Sequence, residues 1–149
     1  MRTANDQRDT IINVAVDYSR SLRKMIDDGY YDEVHRDITP RNFRLLATGF
    51  RQIELTLVQF KHPVAPLEAV MLKRREGYRP ATIEEILALG NQHPEMQRRI
   101  PIVGLGSARL IGNRRYVPCL GGSEHERTLT LTVIYRRWST YYRFAFVKE

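Results

Sequence analysis

The chain has 149 residues, 42% hydrophobic and 28% charged, which is typical of one globular domain with a core of its own. No apolar run approaches the roughly 20 residues that a membrane helix needs, and the polar start MRTANDQRDT lacks the apolar segment of a secretory signal. One cysteine cannot form an internal disulfide. A single cytoplasmic domain outside the membrane is therefore expected.

The first elements in chain order are a strand and a helix. Apolar residues at every second position in 10–19 favour a strand, although an apolar helical face through the same segment is also compatible. The segment SRSLRKMIDDG is typical of a helix, with Ser19 or Ser21 as the N-cap and Gly29 at the end.

A loop and a second strand follow. Residues 30–43 have no clear period, and Pro40 disfavours a helical residue before it, so a loop or short turn is expected there. Residues 50–60 alternate again and predict a strand. Its inward side chains are expected to be Ile53, Leu55 and Leu57.

Two helices are predicted in the middle of the chain. The segment 66–77 begins with proline and ends with glycine, as helices commonly do. The segment 81–90 carries Thr82 as an N-cap and Glu85 three residues later, which is the pattern of a capping box. The inward residues of the first helix are expected to be Leu67, Val70 and Met71.

Short strands dominate after Pro101. A hairpin with Gly112 and Asn113 at its bend is expected between two of them. The segments concerned are IPIVGL, ARLIGNRRYVPCL, RTLTLTVIYRRW and YYRFAFVKE. The predicted fold is therefore α+β: a single domain, residues 1–149, with a mainly antiparallel sheet, two or three helices and a C-terminal half rich in short strands.

The glycines of PIVGLGSARLIG invite comparison with a dinucleotide-binding loop. Gly104 and Gly106 match its first two glycines, but Arg109 occupies the third position, where close helix packing needs a glycine. Another turn follows too soon for a crossover helix, and Glu124 lies in a loop and not at a strand end. The segment is interpreted as a strand that runs into a tight bend, and no cofactor is expected.

Other candidate chemistry is sparse. Cys119 with His125 would supply a thiolate pair, but the apolar neighbours of Cys119 are typical of a buried thiol. The four histidines have no paired spacing, so no metal site is expected.

The net charge of +7 comes mostly from arginine, with 20 Arg against 4 Lys, and paired arginines recur through the second half of the chain. Arginine and aromatic side chains on a sheet can track phosphates and stack on bases, although one arginine of each pair would face outward for solubility alone. The candidate anion-binding or nucleic-acid-binding residues are Arg98, Arg99, Arg114, Arg115, Tyr116, Arg136, Arg137 and Trp138.

Two resemblances accompany these motifs. The first rests on five segments, which are, in chain order, VDYSRSLRKMIDDGYYDEVHRDIT, GYRPATIEEILALG, PIVGLGS, YVPCLGG and WSTYYRFAFVK. Together they resemble a family of small hypothetical proteins of candidate-phylum bacteria, and this resemblance implies no activity. From about Gly77 onward, YRPATIEE and the terminal aromatic strand resemble the C-type-lectin-like and sulfatase-modifying folds, which implies a fold alone.

The leading functional hypothesis is a non-catalytic binding or assembly module whose basic, aromatic surface meets nucleic acid or an acidic protein. The alternative is a small enzyme that uses Cys119 or a carboxylate. A third hypothesis is a structural or oligomeric protein with an interface on the exposed side of residues 127–135.

Overall fold

The computed structural model describes residues 7–134 and 137–149, with side chains from residue 9 onward. Within these ranges the chain forms nine strands and three α-helices. The strands are β1 (Gln7–Asp17), β2 (Glu33–Val34), β3 (Phe50–Phe60), β4 (Tyr78–Pro80), β5 (Ile102–Val103), β6 (Arg109–Ile111), β7 (Arg114–Gly122), β8 (Arg127–Val133) and β9 (Arg143–Lys148). The helices are α1 (Leu22–Gly29), α2 (Pro66–Arg75) and α3 (Ile83–Gln92).

All the described strands belong to one sheet with the order β1-β3-β9-β5-β7-β8-β2, while β4 pairs with β9 and β6 with β7. Two pairs are parallel, β5 with β9 and β2 with β8, and the other pairs are antiparallel. The predicted α+β class with a mainly antiparallel sheet is confirmed. The hairpin of β6 and β7 is also confirmed, with Gly112 at its bend in the left-handed region (φ 66°).

The sheet buries apolar side chains on both faces, and β9 shows how its residues are divided. Ala145 and Val147 pack on one side in a cluster that includes residues of α1 and α3. Phe144 and Phe146 pack on the other side in a cluster that includes Ala69 of α2. Because successive side chains of a strand point to opposite faces, the apolar run of β9 supplies both cores at once.

The helix termini follow the sequence closely. Ser21 is the N-cap of α1, and its hydroxyl accepts a hydrogen bond from Lys24 N–H at 3.1 Å. Gly29 is the last residue of α1, and Tyr30 after it has the left-handed conformation (φ 51°). In α3 the Glu85 carboxylate accepts the backbone N–H of Thr82 at 2.8 Å, as the capping-box pattern predicts.

The inward face of α2 differs from the prediction. Leu67 is 70% exposed and Met71 is 48% exposed, whereas Ala69 and Lys73 are fully buried. The Lys73 ammonium lies 2.9 Å from the Glu76 carboxylate and 3.6 Å from that of Asp9. Burial of this lysine is possible because its charge is paired, and the helix is rotated accordingly.

Candidate functional site

The glycine segment packs against the start of α3. After β5 the chain makes a 3-10 turn at Leu105–Ser107 and then enters β6, so the predicted strand and bend are confirmed. Gly106 N–H donates to Ala81 O at 2.8 Å, and a Cβ on Gly106 would lie 2.6 Å from Pro80 O. Ser107 Oγ accepts the N–H of Ile83 at 2.7 Å. The glycine and serine of this segment therefore serve close packing and helix capping.

Cys119 lies in the middle of β7 and is 4% exposed. Burial raises the pKa of the Cys119 thiol to about 12, although hydrogen bonds from Thr132, Ile102 and Thr130 act in the opposite direction. A thiol with this pKa is almost entirely protonated at neutral pH, so it lacks the thiolate that a nucleophile requires. The environment of Cys119 argues against the alternative of a cysteine enzyme.

The predicted basic residues lie at opposite ends of β7. Arg98 donates to the carbonyls of Ser123 and Glu124, which follow the end of β7, and its Nε lies 3.1 Å from a Glu95 carboxylate oxygen. Arg114 and Arg115 begin β7 and are exposed. The seven steps from Arg115 to Gly122 along the strand span about 23 Å at the ordinary rise of a strand. Arg98 and Arg99 therefore do not share a surface with the second pair.

The remaining predicted residues are also dispersed. Trp138 is fully buried, and its ring packs edge-to-face on Tyr142 at 4.7 Å and on Phe144 at 5.6 Å between ring centroids. This tryptophan is a core residue and offers no exposed ring, which corrects its predicted place on a binding surface. Arg137 is exposed, with Nη2 3.5 Å from Pro63 O, and Arg136 lies outside the described residues.

A different set of arginines lies on the β6–β7 hairpin and on the loop that packs beside it. Arg109 is opposite Tyr116 in the β6–β7 register, and Arg114 lies two residues earlier on the same face of β7. The Arg109 guanidinium lies 5.5 Å from the centre of the Phe43 ring, which places the loop 35–49 beside this hairpin. Phe43 itself is flanked in the chain by two exposed arginines. We call this set the arginine face: Arg41, Arg44, Arg109, Arg114 and Tyr116.

The arginine face carries uncompensated charge. Among residues 7–134 and 137–149, none of its four arginines forms an ion pair with a carboxylate. Arg20, Arg79 and Arg98, in contrast, each have a carboxylate partner within 4.0 Å. Sequence reasoning missed Arg41 and Arg44 because long-range backbone pairing places their loop beside the sheet. One such hydrogen bond runs from His35 N–H to Leu129 O at 2.9 Å.

A buried ionic cluster joins Tyr18, the residue after β1, to β4 and α3. The Glu85 carboxylate is fully buried and accepts the Tyr18 hydroxyl at 2.5 Å and the Arg79 guanidinium at 2.7 and 3.0 Å. Burial alone would raise the pKa of Glu85, but the bonds from Arg79, Tyr18 and Thr82 outweigh it and hold that pKa below its ordinary value. Burial and the bond to Glu85 raise the pKa of Tyr18. The cluster is satisfied internally and holds three elements together.

Another buried charge, Arg127, holds the C-terminal ends of α1 and α3 together. It is 5% exposed and lies 4.8 Å over the Tyr31 ring. Its guanidinium donates to Gly29 O, to Gly90 O at 2.7 Å, to Pro94 O at 2.9 Å and to Gln97 Oε1 at 3.0 Å. Helix C-termini carry partial negative charge, so these carbonyls suit a cation. Burial raises the pKa of Tyr31 to about 12, with Arg127 opposing the shift.

The described part of the chain offers neither a membrane-spanning helix nor a metal-binding cluster. No helix in it has the length and apolar character needed to cross a membrane. Its His, Cys, Asp and Glu side chains do not gather in any group of three or more that could hold a metal ion.

The comparisons with known proteins do not identify a relative of this chain. The two resemblances noted from the sequence motifs stay predictions. The chain matches no protein-family model, no curated protein and no solved structure at a significant level.

Proposed function

We propose that this protein is a non-catalytic binding module whose arginine face holds a polyanionic partner, foremost the phosphate backbone of a nucleic acid. The observation that carries the proposal is a set of four arginines on the β6–β7 hairpin and the loop beside it, none with a carboxylate partner among the described residues. A cluster of unpaired like charges is unfavourable in isolation and favours the binding of an anion.

The residue types agree with phosphate as the ligand. A guanidinium group presents a planar fork of donors that matches two phosphate oxygens, which an ammonium group cannot do. Arg41 and Arg44 lie on an irregular loop, where side chains can adjust to a partner, and Arg109 and Arg114 lie on a hairpin of fixed register. Half-buried Tyr116 offers part of a ring beside Arg109 and Arg114.

The test is binding of a fluorescently labelled single-stranded RNA of about 20 nucleotides, measured by anisotropy between 50 and 200 mM salt. The double variant R41Q/R44Q should bind more weakly, and the slope of log K against log salt should fall by about 1.4, or about 0.7 for each phosphate that is no longer neutralised. The matched control is R74Q/R75Q, which removes the same charge from exposed positions of α2 on the other side of the sheet.

Equal losses of affinity in the two double variants would show that only net charge matters and would overturn the proposal. Binding without salt dependence would overturn it as well. Poly-glutamate serves as a competitor: if it displaces the RNA at equal charge concentration, the partner class is an acidic protein and not a nucleic acid.

A further inference from the structure

A cavity of about 160 Å³ lies between α1, α3 and the end of β1, away from the arginine face. Its wall is mostly apolar with four charged side chains. The lining residues that matter here are Arg20, Met25, Asp28, Glu84, Leu87 and Ala88.

Glu84 is the unusual member of this wall. It is only 7% exposed, and no hydrogen bond or ion pair reaches its carboxylate from residues 7–134 and 137–149. On α3 it shares one face with Leu87, Ala88 and Asn91, and all four line the cavity. Its carboxylate oxygens are not among the described polar atoms that are sealed from solvent without a partner, so they open into the cavity. A carboxylate in such a recess is stabilised by a cation, and the first turn of α3 supplies only a partial positive charge.

The other charges of the cavity are already paired. Arg20 Nε lies 3.6 Å from an Asp17 oxygen, and Arg20 Nη1 also contacts Asp28. Lys24 Nζ lies 3.0 Å from the second oxygen of Asp28. Two cations thus balance two carboxylates, and the uncompensated charge of the cavity is the single negative charge of Glu84.

We propose that this cavity binds a small organic cation, a primary ammonium or guanidinium group on a short apolar stem, with Glu84 as the counter-ion. A cavity of about 150 Å³ holds a molecule the size of benzene, so the ligand has room for about six heavy atoms. Met25, Leu87 and Ala88 supply the apolar wall for the stem. A metal ion fits less well, because the described residues offer no group of three ligands.

The experiment is an NMR titration of the whole chain with n-butylammonium, with neutral butanol as the isosteric control. The methyl signals of Met25 and Ala88 should shift on titration, and butanol should bind at least tenfold more weakly. Glu84→Gln should weaken butylammonium binding at least tenfold, whereas Glu126→Gln, in the exposed turn before β8, should leave it unchanged.

A second variant keeps the test decisive if Glu84→Gln alters folding. Ala88→Leu fills the cavity and retains the carboxylate, so it should abolish the titration while the spectrum of the remaining protein is preserved. Undiminished butylammonium binding by either folded variant would overturn the proposal, as would butanol binding as tight as that of butylammonium. Neither result bears on the arginine face, because none of these residues belongs to it.

Discussion

Replacing Arg127 with methionine should strongly destabilise the protein, because it removes the donor that four acceptors share. Methionine keeps the length and the apolar stem of the side chain but has no N–H group. Four acceptors in the protein interior would then lose their donor: the carbonyls of Gly29, Gly90 and Pro94 and the side-chain oxygen of Gln97.

The size of the effect follows from these four bonds. A buried hydrogen bond contributes about 1 kcal/mol net, and an acceptor left unpaired costs at least as much, so the loss is about 4 kcal/mol. For a chain of this length each kcal/mol lowers Tm by about 2–4 °C, so a drop of about 8–16 °C is expected. Arg127→Lys keeps the charge but cannot serve all four acceptors, and should lose about half as much.

Urea unfolding followed by circular dichroism measures the free energy of unfolding directly. The control is Arg99→Met, an exposed arginine for which a change within about 0.5 kcal/mol is expected. If the stability of Arg127→Met lies within about 1 kcal/mol of that of the unaltered chain, the guanidinium does not hold the two helix ends together.

Three further predictions concern two buried side chains and one closely packed glycine. Glu85→Gln should cost about 2–3 kcal/mol in urea unfolding at pH 7. Because the folded state lowers the pKa of Glu85, this difference should shrink as pH falls below about 4.3; a difference independent of pH would contradict it. Folding raises the pKa of Tyr31 from 10.0 to about 12, so the stability it contributes is lost as pH rises through that interval. Tyr31→Phe should therefore unfold with a shallower alkaline slope, by up to about 1.4 kcal/mol per pH unit, and an unchanged slope would refute this. Gly106→Ala should lower stability by about 1–3 kcal/mol, since its Cβ would meet backbone oxygens, while Gly121→Ala, with its nearest atom at 3.5 Å, should be tolerated; equal Tm values would disprove the packing role.

Local signals predicted most of the elements. Alternation located β1, β3 and β8, and the Thr82–Glu85 spacing located the start of α3. These succeed because the residues that determine a cap or a pleat are neighbours in the chain. The rotation of α2 escaped the same reasoning, because burial of Lys73 depends on the carboxylate of Asp9, 64 positions earlier.

The site was less predictable than the fold for the same reason. Paired arginines in the sequence suggested one basic surface, but the length of β7 separates Arg98 from Arg114. Arg127 belongs to an alternating strand, and nothing near it in sequence reveals that the ends of two helices close over its side chain. Glu84, beside the capping glutamate, reads from sequence as a solvated helix residue although it is buried in a cavity wall.

The position of β9 bears on how the protein is made in the cell. Strands β1 and β3 form one part of the sheet, strands β5 to β8 with β2 form another, and these parts are joined through β9. Because β9 follows the other described strands in the chain, the growing polypeptide carries two open inner edges until β9 emerges from the ribosome. Such edges pair readily with other chains, so ribosome-bound and prematurely terminated products are the forms most prone to aggregation and most dependent on chaperones.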